Sequence, residues 1–380
     1  MKATNQKDFW SISNIVKNKN YNFSKSEILR FLPEKLIDEA IKSISSWNDY
    51  KPTPLLRLDK LSSELSLKEI YYKDESKRFT LKSFKALGGA FAVEKIVNGR
   101  KNITVATATA GNHGRSVAWG AQKLGLNCKI FISENVSESR AKAMRDFSAD
   151  VIQVKGNYDN SLKECIAQSQ KNNWEIVQDT AWLGYELVPQ YIMAGYTIMM
   201  KEIFDQINND EITHVFLQAG VGGMASAMVA GIAKFSNSIP KIIIVEPENA
   251  DCILKSIKNN KTTRIEIKKE SIMGGMSCGE VSKVAWNILK SSTNYCVSIP
   301  DTMVARVSSL LANKNFSKNE IEAGECATPG IIALKGICFN QELKDNIKLN
   351  KNSKVLVFGC EGATDEKMYN KLLTLGNNTE

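Results

Sequence analysis

The alternation of short apolar runs with longer helical runs is the feature that most constrains the fold of this 380-residue chain. Runs such as VFLQA (215–219), IIIVEP (242–247) and VLVFG (355–359) are apolar at nearly every position. A strand with one solvated face would instead alternate apolar and polar residues. Strands buried on both faces are typical of parallel sheets covered by helices. The sequence therefore predicts an α/β fold of mostly parallel sheets with helices on both faces.

The same pattern predicts where the individual elements lie. Strands are predicted at 69–75, 102–108, 127–133, 151–156, 175–179, 213–219, 241–247 and 353–359. Helices are predicted at 24–48 (divided by Pro33), 83–96, 113–125, 137–147, 160–172, 189–207, 224–235 and 364–375. Residues 99–195 contain four consecutive strand–helix steps. We therefore expect two domains, a small α/β domain at 99–195 and a large discontinuous domain at 1–98 and 196–380.

Composition narrows the classes of function. The net charge of +9 is dispersed among acidic residues, which argues against a nucleic-acid partner. No apolar run approaches the roughly 18 residues of a membrane span, and the opening MKATNQKDFW lacks the apolar core of a signal peptide. Eight cysteines without a CxxC pair read as reduced thiols, and only two histidines argue against a metal site. We expect a cytoplasmic protein without nucleic-acid, membrane or metal partners.

A glycine-rich segment, Gly220 to Ala225, fits the pattern G-x-G-x-x-A between a predicted strand and a predicted helix. Glu246 ends the next strand, so the segment comes close to a dinucleotide-binding fingerprint, and an NAD-dependent dehydrogenase is one interpretation. The glycines by themselves indicate less than a dinucleotide site, because they let backbone N–H groups close around any phosphate at a helix N-terminus. The segment predicts phosphate binding without saying which phosphate.

Two further segments carry candidate chemistry. Lys85 stands at the start of the predicted helix in SFKALGG, where the helix dipole disfavours a cation. An imine or an adjacent anionic cofactor would remove that conflict, although a solvated lysine, as expected for Lys82, is the plain alternative. In ATAGNHG (108–114), Gly111 would permit an unusual backbone angle, and free N–H groups at the helix start could bind a carboxylate. His113 is either a base or a packing residue.

Taken together in this order, TPLLRL, YKDES, SFKALGG, TAGNHG and AGVGGM resemble the tryptophan-synthase-β-like, fold type II pyridoxal-phosphate enzymes. The segments KDESKRF, ATAGNHGRSVAWGA, VQDTAWLGYE, VEPENADC, SCGE and CEGATD are most similar to the diaminopropionate ammonia-lyases. The resemblance covers roughly residues 50–375. It implies a two-domain carbon–nitrogen lyase of amino-acid catabolism, a homodimer with pyridoxal 5′-phosphate as cofactor. The dehydrogenase interpretation accounts for neither Lys85 nor the GNHG loop.

The resemblance implies a cofactor-binding role for eight residues. Lys85 would bind pyridoxal phosphate as a Schiff base, and Asn112 would contact the ring hydroxyl. The phosphate would be bound by Gly220, Val221, Gly222, Gly223 and Met224. Cys360 falls where relatives place a small polar side chain beside the pyridine nitrogen, although a buried packing cysteine is an equal alternative.

The resemblance also implies how a small amino-acid substrate is bound. Its carboxylate would contact the loop formed by Thr109, Ala110, Gly111, Asn112 and His113. Asp179 matches an aspartate that takes a proton from the L-isomer, and a helix N-cap is its plain alternative. The implied reaction is α,β-elimination of 2,3-diaminopropionate to pyruvate and ammonia.

The sequence departs from the family at two positions. A second aspartate, linked to the D-isomer, is replaced by Ala110, and an acid near the CEG turn is replaced by Ala363. The L-isomer is therefore the expected substrate. A threonine or serine dehydratase, or another β-eliminating or β-replacing enzyme of this fold, stays open as an alternative.

Overall fold

The computed structural model describes residues 10–207 and 211–378. Its strands are β1 (Asn14–Lys17), β2 (Leu55–Arg57), β3 (Glu69–Asp74), β4 (Thr104–Ala108), β5 (Asn127–Ser133), β6 (Asp150–Val154), β7 (Glu175–Ile176), β8 (His214–Gln218), β9 (Lys241–Pro247), β10 (Tyr295–Ile299) and β11 (Lys354–Gly359).

The α-helices alternate with these strands along the chain. They are α1 (Lys25–Phe31), α2 (Glu34–Ser45), α3 (Asp59–Leu65), α4 (Lys85–Val97), α5 (Asn112–Lys123), α6 (Glu138–Arg145), α7 (Tyr158–Asn172), α8 (Leu187–Tyr196), α9 (Ile198–Gln206), α10 (Gly223–Phe235), α11 (Cys252–Asn259), α12 (Lys283–Ser292), α13 (Val304–Ala312), α14 (Pro329–Cys338), α15 (Gln341–Ile347) and α16 (Glu366–Asn377). Within the described ranges, no helix is long and apolar enough to cross a membrane.

The described chain forms two compact units. Unit 1 consists of residues 10–31, 52–77, 199–207 and 211–378, and unit 2 consists of residues 32–51 and 78–198. The predicted small domain at 99–195 lies within unit 2, but the predicted boundary at residue 98 differs from this division. Unit 2 extends further because α4 packs against α5 and α8, and α2 packs against α8.

Unit 1 is built on a seven-stranded sheet in the order β1-β10-β9-β8-β11-β3-β2. The five inner strands are parallel to one another, and every residue of β8 and β10 is buried. This confirms the α/β fold predicted from the continuous apolar runs. Both edge strands are antiparallel, and neither was predicted. With three or four residues each, they are too short to show an apolar pattern.

Unit 2 is built on a four-stranded parallel sheet in the order β6-β5-β4-β7. The predicted strand at 175–179 contributes only two residues to β7. One more backbone bond follows, from the Val177 N–H to the Ala106 carbonyl at 2.8 Å. Because neighbouring parallel strands end at the same edge, the segments that follow β4 and β7 lie side by side.

Two segments predicted to be helical show whether the sequence reveals where a helix is interrupted. The segment at 24–48 divides at Pro33 into α1 and α2, as predicted. The segment predicted as one helix at 189–207 also divides, at Thr197, whose hydroxyl donates to the Ala194 carbonyl at 2.6 Å. A side-chain hydroxyl bonded back to its own helix competes with the backbone ladder and favours such a break.

His214 opens β8 and is almost fully buried in unit 1. Its Nε2 lies 3.0 Å from the Ile347 carbonyl, so Nε2 carries a hydrogen and donates it. Burial lowers the pKa of His214 to about 4. An unfolded histidine has a pKa of about 6.5, so the folded state resists protonation and loses stability as the pH falls between these two values.

We predict that His214 makes the protein acid-sensitive. Between about pH 7 and about pH 5 it should remove about 2 kcal/mol of unfolding free energy, because each unit of pKa difference is worth about 1.4 kcal/mol. Replacing His214 with Gln should flatten this dependence in chemical unfolding measured at both pH values. An equal loss of stability in the variant and the parent would contradict the assignment to His214.

Candidate active site

Lys85 is the first residue of α4, in unit 2, and its backbone N–H donates to the Ser83 hydroxyl at 3.3 Å. An ammonium at a helix N-terminus faces the positive end of the helix dipole. The structure supplies a compensating charge, because the Lys85 Nζ lies 2.5 Å from the Asp179 Oδ2. The two side chains are 22% and 19% exposed. The lysine is therefore held by a carboxylate and still accessible from outside.

Asp179 follows β7 by three residues. Burial alone would raise the pKa of its carboxyl group, but the Lys85 ammonium lowers it, and the net pKa lies well below the usual range. Asp179 is therefore ionised at neutral pH and able to accept a proton. The alternative that Asp179 caps a helix is excluded, because the next helix, α8, begins only at Leu187.

His113 is buried in the first turn of α5. Its Nε2 lies 2.8 Å from the Val177 carbonyl and must donate to it. Burial lowers the pKa of His113, so the ring is neutral at neutral pH and Nδ1 carries a lone pair. Nδ1 lies 4.0 Å from the Asp179 Oδ2 and has no hydrogen-bond partner. His113 thus anchors α5 to the strand end and presents an unused acceptor beside Asp179.

The loop before α5 reaches the same edge of the sheet as Asp179. Gly111 is the N-cap of α5 with φ −114° and ψ −159°, an extended conformation open to any residue, so the unusual backbone angle that a glycine would permit is not adopted here. A Cβ at Gly111 would meet no atom within 4 Å, so the space beside the loop is open. The N–H groups of a helix's first turn have no partner within the helix and can bind an anion there.

The glycine-rich segment lies in unit 1, between β8 and α10. Gly222 is the N-cap of α10 and has φ +92°, a conformation that favours glycine. A Cβ at Gly220 would meet the Cys278 Sγ at 3.0 Å, whereas one at Gly223 would meet nothing within 4 Å. The segment is thus packed at its start and open at the first turn of the helix. Unpartnered N–H groups facing open space suit a phosphate group.

Glu246 does not serve as the ribose ligand that the dehydrogenase interpretation requires. It is fully buried, and its carboxyl oxygens accept from the Ile253 N–H at 2.8 Å and the Leu254 N–H at 2.7 Å. Burial raises the pKa of Glu246 to about 8. Its side chain therefore caps α11, and the dinucleotide fingerprint lacks its acidic member.

The end of β11 carries the two remaining predicted positions, also in unit 1. Cys360 is buried, and its thiol donates to the Cys326 carbonyl at 3.1 Å. Ala363 stands where the resemblance implies an acid, and its N–H donates to the Glu322 carboxylate at 2.9 Å. A carboxylate therefore reaches the CEG turn from a distant point in the chain. Glu322 was not predicted from the sequence, because no local motif marks it.

A comparison of the sequence with protein-family models matches residues 47–358 to the family described as pyridoxal-phosphate dependent enzymes. The chain belongs to this family. Its fold and its cofactor are therefore those that the resemblance implied, and the dehydrogenase alternative is wrong.

Within the pyridoxal-phosphate dependent enzymes, the chain is similar to diaminopropionate ammonia-lyases over nearly its whole length. The enzyme of Escherichia coli strain K12 is 34% identical, over 95% of this chain and 96% of the relative. A crystal structure of the Escherichia coli enzyme with an aminoacrylate–PLP azomethine reaction intermediate has a TM-score of 0.88 and 34% identity, covering 96% and 97% of the two chains. A complex of that enzyme with D-serine has a TM-score of 0.89 and 33% identity, covering 97% and 99%.

The residues present fit the cofactor of this family. In unit 2, a partly exposed lysine amine lies beside a carboxylate and an unpartnered imidazole nitrogen. In unit 1, open space lies at the first turn of α10, where a phosphate binds well. The structure thus brings Lys85, His113 and Asp179 together in one unit, while the residues at 220–224 and Cys360 belong to the other.

Two further residues beside Asp179 were missed from the sequence. Gln178 and Tyr185 are hydrogen-bonded to backbone groups at the ends of β4 and β7. The motif VQDTAWLGYE contains both, but the spacing of polar residues does not indicate which of them are buried. Only the register of the sheet shows their role.

We predict that alanine changes the unfolding free energy differently at two neighbouring glycines of the phosphate segment. Gly222→Ala should lower the unfolding free energy by about 1–2 kcal/mol, because the residue must adopt a left-handed conformation. Gly223→Ala should be neutral or stabilise by up to about 1 kcal/mol, since its Cβ meets open space in a helix. Chemical unfolding of the cofactor-free variants measures both. Equal losses would show that the segment is not built as described.

Proposed function

We propose that this protein is a pyridoxal-phosphate-dependent ammonia-lyase that eliminates ammonia from L-2,3-diaminopropionate and yields pyruvate and ammonia. The observation that carries the proposal is the ion pair of Lys85 with Asp179, in a chain that has alanine at position 110. The similarity to diaminopropionate ammonia-lyases supports the reaction, and these two positions support the choice of isomer.

In this proposal the residues that the family resemblance implied would bind the cofactor. Lys85 would bind the aldehyde carbon, Asn112 would contact the ring hydroxyl, and Cys360 would lie beside the pyridine nitrogen. The phosphate would be bound by Gly220, Val221, Gly222, Gly223 and Met224. The bound cofactor supplies an electron sink that stabilises negative charge at the substrate Cα. A neutral thiol such as that of Cys360 would leave the pyridine nitrogen unprotonated, which suits elimination over transamination.

Asp179 acts as the general base in this proposal. Its carboxylate is ionised, and its Oδ2 is within hydrogen-bond reach of the Lys85 Nζ, so a proton can pass between the two atoms. The positive charge on Lys85 is the interaction that lowers the pKa of Asp179 most. Any step that neutralises the Lys85 nitrogen therefore makes Asp179 a stronger base. The pKa of Asp179 thus rises when Lys85 loses its positive charge.

The loop at 109–113 binds the substrate carboxylate in this proposal. It leads into the N-terminus of α5, where the helix dipole favours an anion. Gly111 leaves open space beside it. A carboxylate bound here would lie next to Asp179, because β4 and β7 are neighbours in the sheet.

The choice of isomer follows from Ala110. The two enantiomers present the Cα–H bond to opposite faces of the cofactor, and each face needs its own proton acceptor. A methyl group cannot accept a proton, so the face served by position 110 has lost its carboxylate. General bases contribute about 10²–10⁴-fold to rate, and the D-isomer should be slower by about that factor.

We predict the following for turnover of both isomers of 2,3-diaminopropionate. The parent enzyme should prefer the L-isomer and release two ammonia molecules per pyruvate. Asp179→Asn should lower L-isomer turnover by about 10²–10⁴-fold. Ala110→Asp should raise D-isomer turnover, and Ala110→Asn, of similar size but without a base, serves as its control. Assays of ammonia and pyruvate measure these rates.

Two outcomes would contradict the proposal. Equal rates on both isomers in the parent enzyme would remove the role of position 110. Inactivity on both isomers, together with turnover of threonine or serine to one ammonia per keto acid, would assign the protein as a dehydratase.

The family resemblance also implies a cellular setting. We propose a cytoplasmic homodimer active in amino-acid catabolism. All eight cysteines are free thiols, which suits a reducing compartment. The homodimer rests on the family resemblance.

A further inference from the structure

The side chain of Gln178 is buried in unit 2, and its amide makes four hydrogen bonds. Its Oε1 accepts from the Thr107 hydroxyl at 2.8 Å and from the Ala108 N–H at 3.2 Å. Its Nε2 donates to the Ala108 carbonyl at 3.0 Å and to the Tyr158 hydroxyl at 2.7 Å. One side-chain amide therefore bonds both the N–H and the carbonyl of Ala108.

The Gln178 amide bonds β4 at the point where the backbone pairing of β4 with β7 stops. The ladder between β4 and β7 pairs Val105 with Glu175 and Ala106 with Ile176. The Val177 N–H makes the last backbone bond, to Ala106. At Ala108 the side chain of Gln178 takes the place of the next backbone partner. The bonded residue is thus the last one of β4 before the loop at 109–113.

The backbone of Gln178 is held separately by Tyr185. The Tyr185 hydroxyl accepts from the Gln178 N–H at 2.8 Å and donates to the Ile176 carbonyl at 2.8 Å. The Tyr185 ring stacks on Trp182 with centroids 4.1 Å apart, which orients the hydroxyl. Tyr185 therefore holds the main chain leading into Asp179 independently of the bonds that the Gln178 amide makes. The Gln178 amide joins this main chain to Ala108, and His113 bonds it separately at the Val177 carbonyl.

We infer that Gln178 is a positioning residue whose amide fixes Asp179, the next residue in the chain, relative to the loop at 109–113. The inference rests on the proposed function, in which the loop binds the substrate carboxylate and Asp179 takes the proton. A base must lie within hydrogen-bond reach of the proton it removes. A displacement of about 1 Å can cost about 10²-fold in rate, so a rigid link between the two parts is functionally significant.

Gln178→Glu tests the link with little change of shape. The ionised carboxylate cannot donate to the Ala108 carbonyl and repels it, whereas the protonated acid regains a donor. Burial raises the pKa of such a glutamate, so protonation becomes accessible near neutral pH. At about pH 8 the variant's kcat/KM for L-2,3-diaminopropionate should be about 10- to 100-fold below the parent's, with the loss in kcat. At about pH 6 its activity relative to the parent should recover.

A matched control adds the same charge to the same unit. Gln170 is exposed on α7, so Gln170→Glu should leave both kcat and its pH profile as in the parent. Borohydride labelling of the bound cofactor should be unchanged in both variants, which separates a displaced base from failed folding or cofactor loss.

Hydrogen exchange of residues 107–113 gives a readout that needs no substrate. At about pH 8, protection of this segment relative to the parent should fall in Gln178→Glu, and it should recover at about pH 6. Unchanged protection and activity at about pH 8 would overturn the inference, as would an activity loss at unchanged protection. A parent enzyme inactive on both isomers would refute the proposed function, and the exchange result alone would then decide whether the link exists.

Discussion

The ion pair of Lys85 and Asp179 is the interaction on which the candidate site depends. It joins the N-terminus of α4 to the segment after β7, two points 94 residues apart in the sequence. Without Asp179, the Lys85 ammonium would lose the carboxylate that offsets the positive end of its own helix. Without Lys85, the Asp179 carboxylate would lose the positive charge that lowers its pKa most. Lys85 therefore holds the pKa of Asp179 low, and both side chains stay partly exposed.

The parallel sheet of unit 2 makes this pairing possible. Neighbouring parallel strands end at one edge, so the loop after β4 and the segment after β7 emerge side by side. His113 donates to the Val177 carbonyl across this edge, and Gln178 bonds Ala108 across it. Short β7 leaves room for side chains to complete the connection. The candidate site residues of unit 2 therefore lie where the backbone pairing of β4 and β7 ends and side-chain hydrogen bonds replace it.

Much of the fold was predictable because the buried strands are apolar on both faces, and every predicted strand is present. The edge strands β1 and β2 were missed because three or four residues carry no periodicity, and no element was predicted between β9 and β11, where β10 and helices α11 to α15 lie. Lys85 and the glycine-rich segment could be found from local motifs. Glu246 was misleading, because its capping of α11 depends on tertiary structure. Gln178 could not be found, since its partner Ala108 is 70 residues away and only strand register brings the two together.

The most direct test of the account is the identity of the lysine that binds the cofactor. Borohydride reduction of the protein loaded with pyridoxal phosphate, followed by peptide mass mapping, should place the label on Lys85. The label should persist in Lys82→Ala, because Lys82 lies three residues earlier and outside α4. A label on Lys82 or on another lysine, or no label in a protein that retains pyridoxal phosphate, would contradict the central role of the Lys85–Asp179 pair.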